Sequence, residues 1–117
     1  MRNFREYDVW QRAIAFVKEI YLFADKLPDK EKYNIISQIQ RAAVSISSNI
    51  AEGCSRKSEK DFARFIEIAL GSAFEVENLV ILCNLLEYSD DNDTAQLFEK
   101  VHIIQRMLNS LYNKLGK

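Results

Sequence analysis

The chain has 117 residues, 48% of them apolar and 28% charged, with a net charge of −1. That composition excludes a disordered chain and argues against a strongly basic nucleic-acid binder. The length suffices for one cored domain over residues 1–117, and no apolar run nears the roughly 18 residues that span a bilayer.

Residues 1–8 carry charge but no apolar segment, so no signal peptide is expected and a cytoplasmic location is. Three glycines and one proline leave few places to cut a turn. A few long helices therefore fit better than many short strands.

In the first helix, Asp8 is expected as N-cap with Gln11 completing a capping box. Trp10, Ala13, Ile14, Val17, Ile20, Tyr21 and Ala24 trace a helical stripe from there to about Lys26. Val9, Phe16 and Phe23 lie on a neighbouring side. Pro28 breaks the helix, because proline disfavours helix in the residue before it.

The second helix is expected from Asp29 to Glu52, with Ile36, Ile39, Ala43, Ile46 and Ile50 as its apolar stripe. Arg41, Ser45, Ser48, Glu52 and Arg56 line another side. Gly53 is expected to end the helix in the left-handed conformation.

Ser58 caps the third helix, with Asp61 as its partner. Phe62, Ile66, Ala69, Ala73, Val76, Val80 and Cys83 alternate by four and three, the spacing of a bundle seam. Phe65, Leu79, Leu82 and Leu86 form a second stripe. Leu70, Phe74, Ile81 and Leu85 form a third, more apolar surface than one subunit can cover, so this stripe is the expected oligomer interface. Gly71 costs the helix about 1 kcal/mol relative to alanine, which points to close approach by a neighbouring backbone.

Residues 88–93 read as an aspartate-rich loop, with Asp91 or Asp93 capping the last helix. Leu97, Val101, Ile104, Leu108, Leu111 and Leu115 form its seam, and Gly116 and Lys117 end the chain. The fold expected is all-α, an antiparallel up-down-up-down four-helix bundle.

Such a topology gathers the N-terminus, the 53–58 loop and the C-terminus at one end. There Arg2, Arg5, Arg56, Lys57, Lys60, Arg64, Lys114 and Lys117 outnumber the acidic residues. At the other end Asp25, Asp29, Glu31, Glu87, Asp90, Asp91 and Asp93 outnumber the basic ones. Arg56, Lys57, Lys60 and Arg64 are the candidate nucleic-acid-binding residues, with Lys57, Lys60 and Arg64 expected on one face at the N-terminus of helix three, where phosphate is favoured.

No catalytic residues, cofactor or metal are expected. Glu99 and His102 have the Glu-x-x-His spacing of di-metal bundles, but the chain has one histidine and both residues lie off the seam. Cys83 reads as a core residue. Cys54, near Arg56 and Lys57, lacks the histidine that would activate it. Trp10 likewise reads as core rather than as a base-stacking ring.

Taken together, residues 5–11 (REYDVWQ), 38–46 (QIQRAAVSI), 48–53 (SNIAEG), Arg56 and 69–72 (ALGS) resemble the four-helix-bundle proteins encoded in 23S ribosomal RNA intervening sequences. The chain is also similar to the accessory variability proteins of diversity-generating retroelements. The resemblance implies a homopentameric ring, with RNA and an RNA-processing or reverse-transcriptase-like protein as partners. On it, Arg41, Asn49, Glu52 and Arg56 match the family's characteristic polar positions. Ser47 departs from a usual proline and Ser55 from a frequent glycine. The function expected is that of a non-enzymatic, homo-oligomeric RNA-binding accessory protein, and the alternative is a protein-interaction scaffold without nucleic-acid binding.

Overall fold

The computed structural model describes residues 2–115. Four helices run in chain order: α1 (Asp8–Ala24), α2 (Ile35–Cys54), α3 (Glu59–Leu85) and α4 (Asp91–Leu115). The 27 residues of α3 should extend about 40 Å at 1.5 Å per residue, in keeping with a long axis of 44 Å. Each helix packs on its neighbours in the order α1, α2, α3, α4 and back to α1, with no diagonal contact among the described residues. This is an all-α four-helix bundle.

The seam of α3 is buried as its spacing predicts, from Phe62 through Ile66, Ala69, Ala73, Val76 and Val80 to Cys83. It meets Ile39, Ala43, Ile46 and Ile50 of α2 and Leu97, Val101, Ile104 and Leu108 of α4 in one core. The seam of α1 differs from expectation. Val9, Ala13, Phe16, Ile20 and Phe23 turn inward, whereas Ile14 and Tyr21 stay more than two-fifths exposed.

The helix ends revise several expectations. Asp8 is the first residue of α1 rather than its cap, and its side chain makes no capping bond. Gln11 instead donates from Nε2 to the Arg5 carbonyl at 2.8 Å. Asp29 opens only a 3₁₀ turn, Asp29–Glu31, and α2 begins six residues later at Ile35. Ser58 does cap α3, its hydroxyl accepting from the Asp61 amide at 3.1 Å. The cap of α4 is Asp90, whose Oδ1 accepts from the Asp93 amide at 2.7 Å, rather than Asp91 or Asp93.

Gly53 lies within α2 and has no positive φ. Its role is steric: a Cβ there would sit 2.8 Å from the Phe65 Cβ and 3.0 Å from Phe62 Cδ1. Among the described residues the left-handed one is Glu87, at φ 64°. There the Tyr88 amide reaches back to the Cys83 carbonyl at 2.8 Å and the Glu87 amide to Asn84 at 3.0 Å. This pair of bonds is a Schellman closure, which usually holds glycine.

Gly71 also departs from expectation within the chain. It is exposed, and a Cβ added to it would meet nothing within 4 Å.

Short connections set the ends. Arg2 donates to the Arg56 carbonyl and Tyr7 packs edge-on against Phe62, joining the N-terminal segment to the α2–α3 turn. At the opposite end, the Tyr88 hydroxyl donates to Glu31 at 2.8 Å and Lys26 lies 3.9 Å from Asp93.

Candidate nucleic-acid interface

Arg56 follows the last turn of α2, and its amide closes on the Gly53 carbonyl at 3.0 Å. Its side chain folds back, with Nη2 3.2 Å from Glu52 Oε2 and the guanidinium 4.6 Å over the Phe65 ring. The pair is solvent-exposed, so it contributes under about 1 kcal/mol and leaves the guanidinium free to exchange partners. A second guanidinium supports the turn. Arg2 lies 4.5 Å over the Phe62 ring and donates to the Arg56 carbonyl at 2.7 Å.

Lys57 precedes the cap of α3, so it sits in the turn rather than on the helix face. Only Lys60 and Arg64, one helical turn apart, share such a face. They line a recess toward α4 with Glu59, Ala63, Glu67, Tyr112 and Leu115. The four cations thus divide, Arg56 over the α2-facing Phe65, Lys60 and Arg64 toward α4, and Lys57 between them. All four are exposed. Tyr112, a ring beside Lys60 and Arg64, carries no sequence signal of a site, because its spacing continues the apolar face of α4. Lys117, counted at this end in the sequence, lies outside the described residues.

The polar positions Arg41, Asn49 and Glu52 do not form one cluster. Asn49 donates to the Ser45 carbonyl at 2.8 Å and to the Ser45 hydroxyl at 2.9 Å. The Ser72 hydroxyl donates to Ser45 Oγ at 2.8 Å, tying α3 to α2 through half-buried groups. Asn49 is therefore part of the helix–helix contact. Glu52 belongs to Arg56, and Arg41 stands exposed beside Tyr21, Gln40 and Val44.

On the outer side of α3, Phe74, Ile81 and Leu85 are 55%, 47% and 73% exposed. Leu70, assigned to the same stripe, is half-buried against the chain's own core.

Both cysteines are buried and free. Burial raises the Cys54 thiol, with Arg2 acting in the opposite direction, and raises Cys83 to about 11. Neither is poised as a thiolate. His102 Nε2 lies 2.9 Å from Glu77 Oε2, with the ring stacked on Phe98. Hydrogen bonds from His102 and then Gln105 hold the Glu77 carboxyl below its ordinary value. Among the described residues, no group of three acidic, histidine or cysteine side chains is placed to hold a metal, and no helix is long and apolar enough to cross a membrane.

The family model described as "23S rRNA-intervening sequence protein" matches residues 5–110. The chain belongs to that family. A crystallised protein of unknown function from Bacteroides thetaiotaomicron, assigned to the S23 ribosomal protein family, shares the fold with a TM-score of 0.80. It is 26% identical, with 89% of this chain and 97% of that one covered. No curated protein matches. The family's match covers the α2–α3 turn and the α3 half of the recess, and ends before Tyr112 and Leu115.

Proposed function

We propose that this protein is a non-enzymatic RNA-binding accessory protein acting on or beside 23S rRNA intervening sequences, and that it works as a homo-oligomer. The observation that carries the reading is the set of exposed cations, Arg56, Lys57, Lys60 and Arg64, around the first turn of α3 on a chain of net charge −1. Free amides at a helix N-terminus attract phosphate, and clustered Lys and Arg release counterions when they neutralise it. Tyr112 adds a half-buried ring on which a base can stack beside Lys60 and Arg64.

Four cations on one subunit give weak binding. Copies associated through Phe74, Ile81 and Leu85, in the five-membered ring that the family resemblance implies, would present several such ends together and multiply the effect. The test is RNA affinity of the Arg56→Ala, Lys57→Ala, Lys60→Ala, Arg64→Ala variant over a salt series. Each lost phosphate contact should lower the slope of log affinity against log salt by about 0.7 to 0.9. An unchanged affinity and slope would remove the assignment. The exposed apolar stripe on α3 also suits a protein-interaction scaffold, and co-purification of a protein partner after nuclease treatment would favour that reading.

A further inference from the structure

The seam between α1 and α4 is the most open of the four. Three recesses follow one another along it, from Tyr7 and Lys114 at one end, past Arg12 and Ile104, to Lys26 and Asp93 at the other. Buried Phe16, Phe23 and Ile104 lie beneath it, and Leu22, 56% exposed, stands at its rim. Two ion pairs bridge the seam, Glu19 with Lys100 and Lys26 with Asp93. Four further cations that line or flank it, Arg12, Lys18, Arg106 and Lys114, have no carboxylate within 4.0 Å among the described residues. Among the described residues that line the three recesses, Asp8 is the one acid without an ion pair.

We propose that this groove docks an acidic amphipathic helix of a partner protein. A trough between two packed helices accepts the ridge of a third, its apolar residues at three- and four-residue steps entering the recesses. Charge complementarity sets the partner's flanks: Asp and Glu beside the apolar ridge would face Arg12 and Lys18 on one rim and Arg106 and Lys114 on the other. RNA fits most of the groove less well, because bases bind by stacking on open rings, Phe16 and Phe23 are only 1% and 7% exposed, and the half-buried Tyr7 ring stands at one end alone. The site lies apart from Arg56 and Lys57 and does not depend on the RNA reading.

The test titrates isotope-labelled full-length protein with a synthetic helix of about 18 residues, long enough to hold helical structure, with leucines at three- and four-residue spacing and glutamates elsewhere. Backbone amide shifts should move along α1 and α4 and leave α3 unmoved. A peptide with lysine in place of glutamate should bind at least tenfold more weakly. The Arg12→Glu, Lys18→Glu, Arg106→Glu variant should reverse that order between the two peptides, which controls for loss of fold. Equal binding of both peptides to the wild-type protein would overturn the proposal, as would shifts centred on Phe74 and Ile81 or no shifts at all. So would displacement of the peptide by an RNA oligonucleotide, or movement of the same α1 and α4 amides on concentrating the protein alone, which would make the groove a contact between copies.

Discussion

Gly53 and Gly71 both lie inside helices, yet a side chain added to each would meet opposite surroundings. At Gly53 a Cβ would collide with Phe65 and Phe62, so the glycine lets α2 approach α3. Gly53→Ala should lower stability by about 1–3 kcal/mol, the usual cost of overpacking, read from urea denaturation. At Gly71 the space is open, and Gly71→Ala in the dilute chain should raise stability by about 1 kcal/mol through helix propensity alone. The sequence places both glycines in helical surroundings but does not say which one is crowded, because that depends on a neighbour distant in the chain. Glu77 adds a pH-dependent element. Its carboxyl is held below the ordinary value of 4.5 by bonds from His102 and Gln105. A lowered folded value means the unfolded chain binds the proton more readily, so this stabilisation is complete above 4.5 and is lost as pH falls through the folded value. Glu77→Gln should therefore flatten the loss of stability on acidification below about pH 4.5, measured by denaturant midpoints, while remaining less stable than the wild type near neutrality.

At the scale of elements, what was legible depended on how local the cause was. The cap at Ser58 and the four-three seam of α3 are set by residues within one or two turns, and both appear as their spacing predicts. On α1 the expected Ala13, Ile20 and Ala24 are buried, but the covered face turns toward Phe16 and Phe23 and away from Ile14 and Tyr21, because the two stripes are equally regular in the sequence. Only the positions of α2 and α4 decide which stripe is covered. The same limit applies to the cations. Arg56, Lys57, Lys60 and Arg64 are close in sequence, but the cap at Ser58 separates the turn from the helix, and the helix points Lys60 and Arg64 toward α4. The end of α3 was illegible for another reason, since its closure requires a left-handed residue and the chain supplies glutamate there. Glu87→Gly should remove that backbone penalty and stabilise the fold by about 1 kcal/mol, seen as a higher urea midpoint with an unchanged slope.

Across the whole molecule, four long helices and their order follow from few turn residues and clear periodicity, whereas one chain's pattern marks an exposed apolar stripe without saying what covers it. Phe74, Ile81 and Leu85 lie outside the core of one subunit, so replacing all three by serine should lower the dilute chain's stability by no more than about 1.5 kcal/mol, about 0.5 for each. If copies associate through this stripe, burying its apolar surface stabilises the assembly but not the monomer. The wild-type melting temperature should then rise with protein concentration, because association couples to folding by mass action, and that of the triple variant should not. Sedimentation of the two at equal concentration gives the decisive comparison: a wild-type species several times the 13.6 kDa of its chain and a monomeric variant. Equal sedimentation as a large species would place the contact elsewhere, and equal sedimentation as monomers would rule association out. Gly71 sharpens this test because it lies on the same outward side of α3. A bulky side chain there should leave the isolated helix intact while holding an approaching helix away, so Gly71→Leu should reduce assembly even as it stabilises the monomer. A stripe that meets only solvent would show the monomer's gain in stability and no change in assembly.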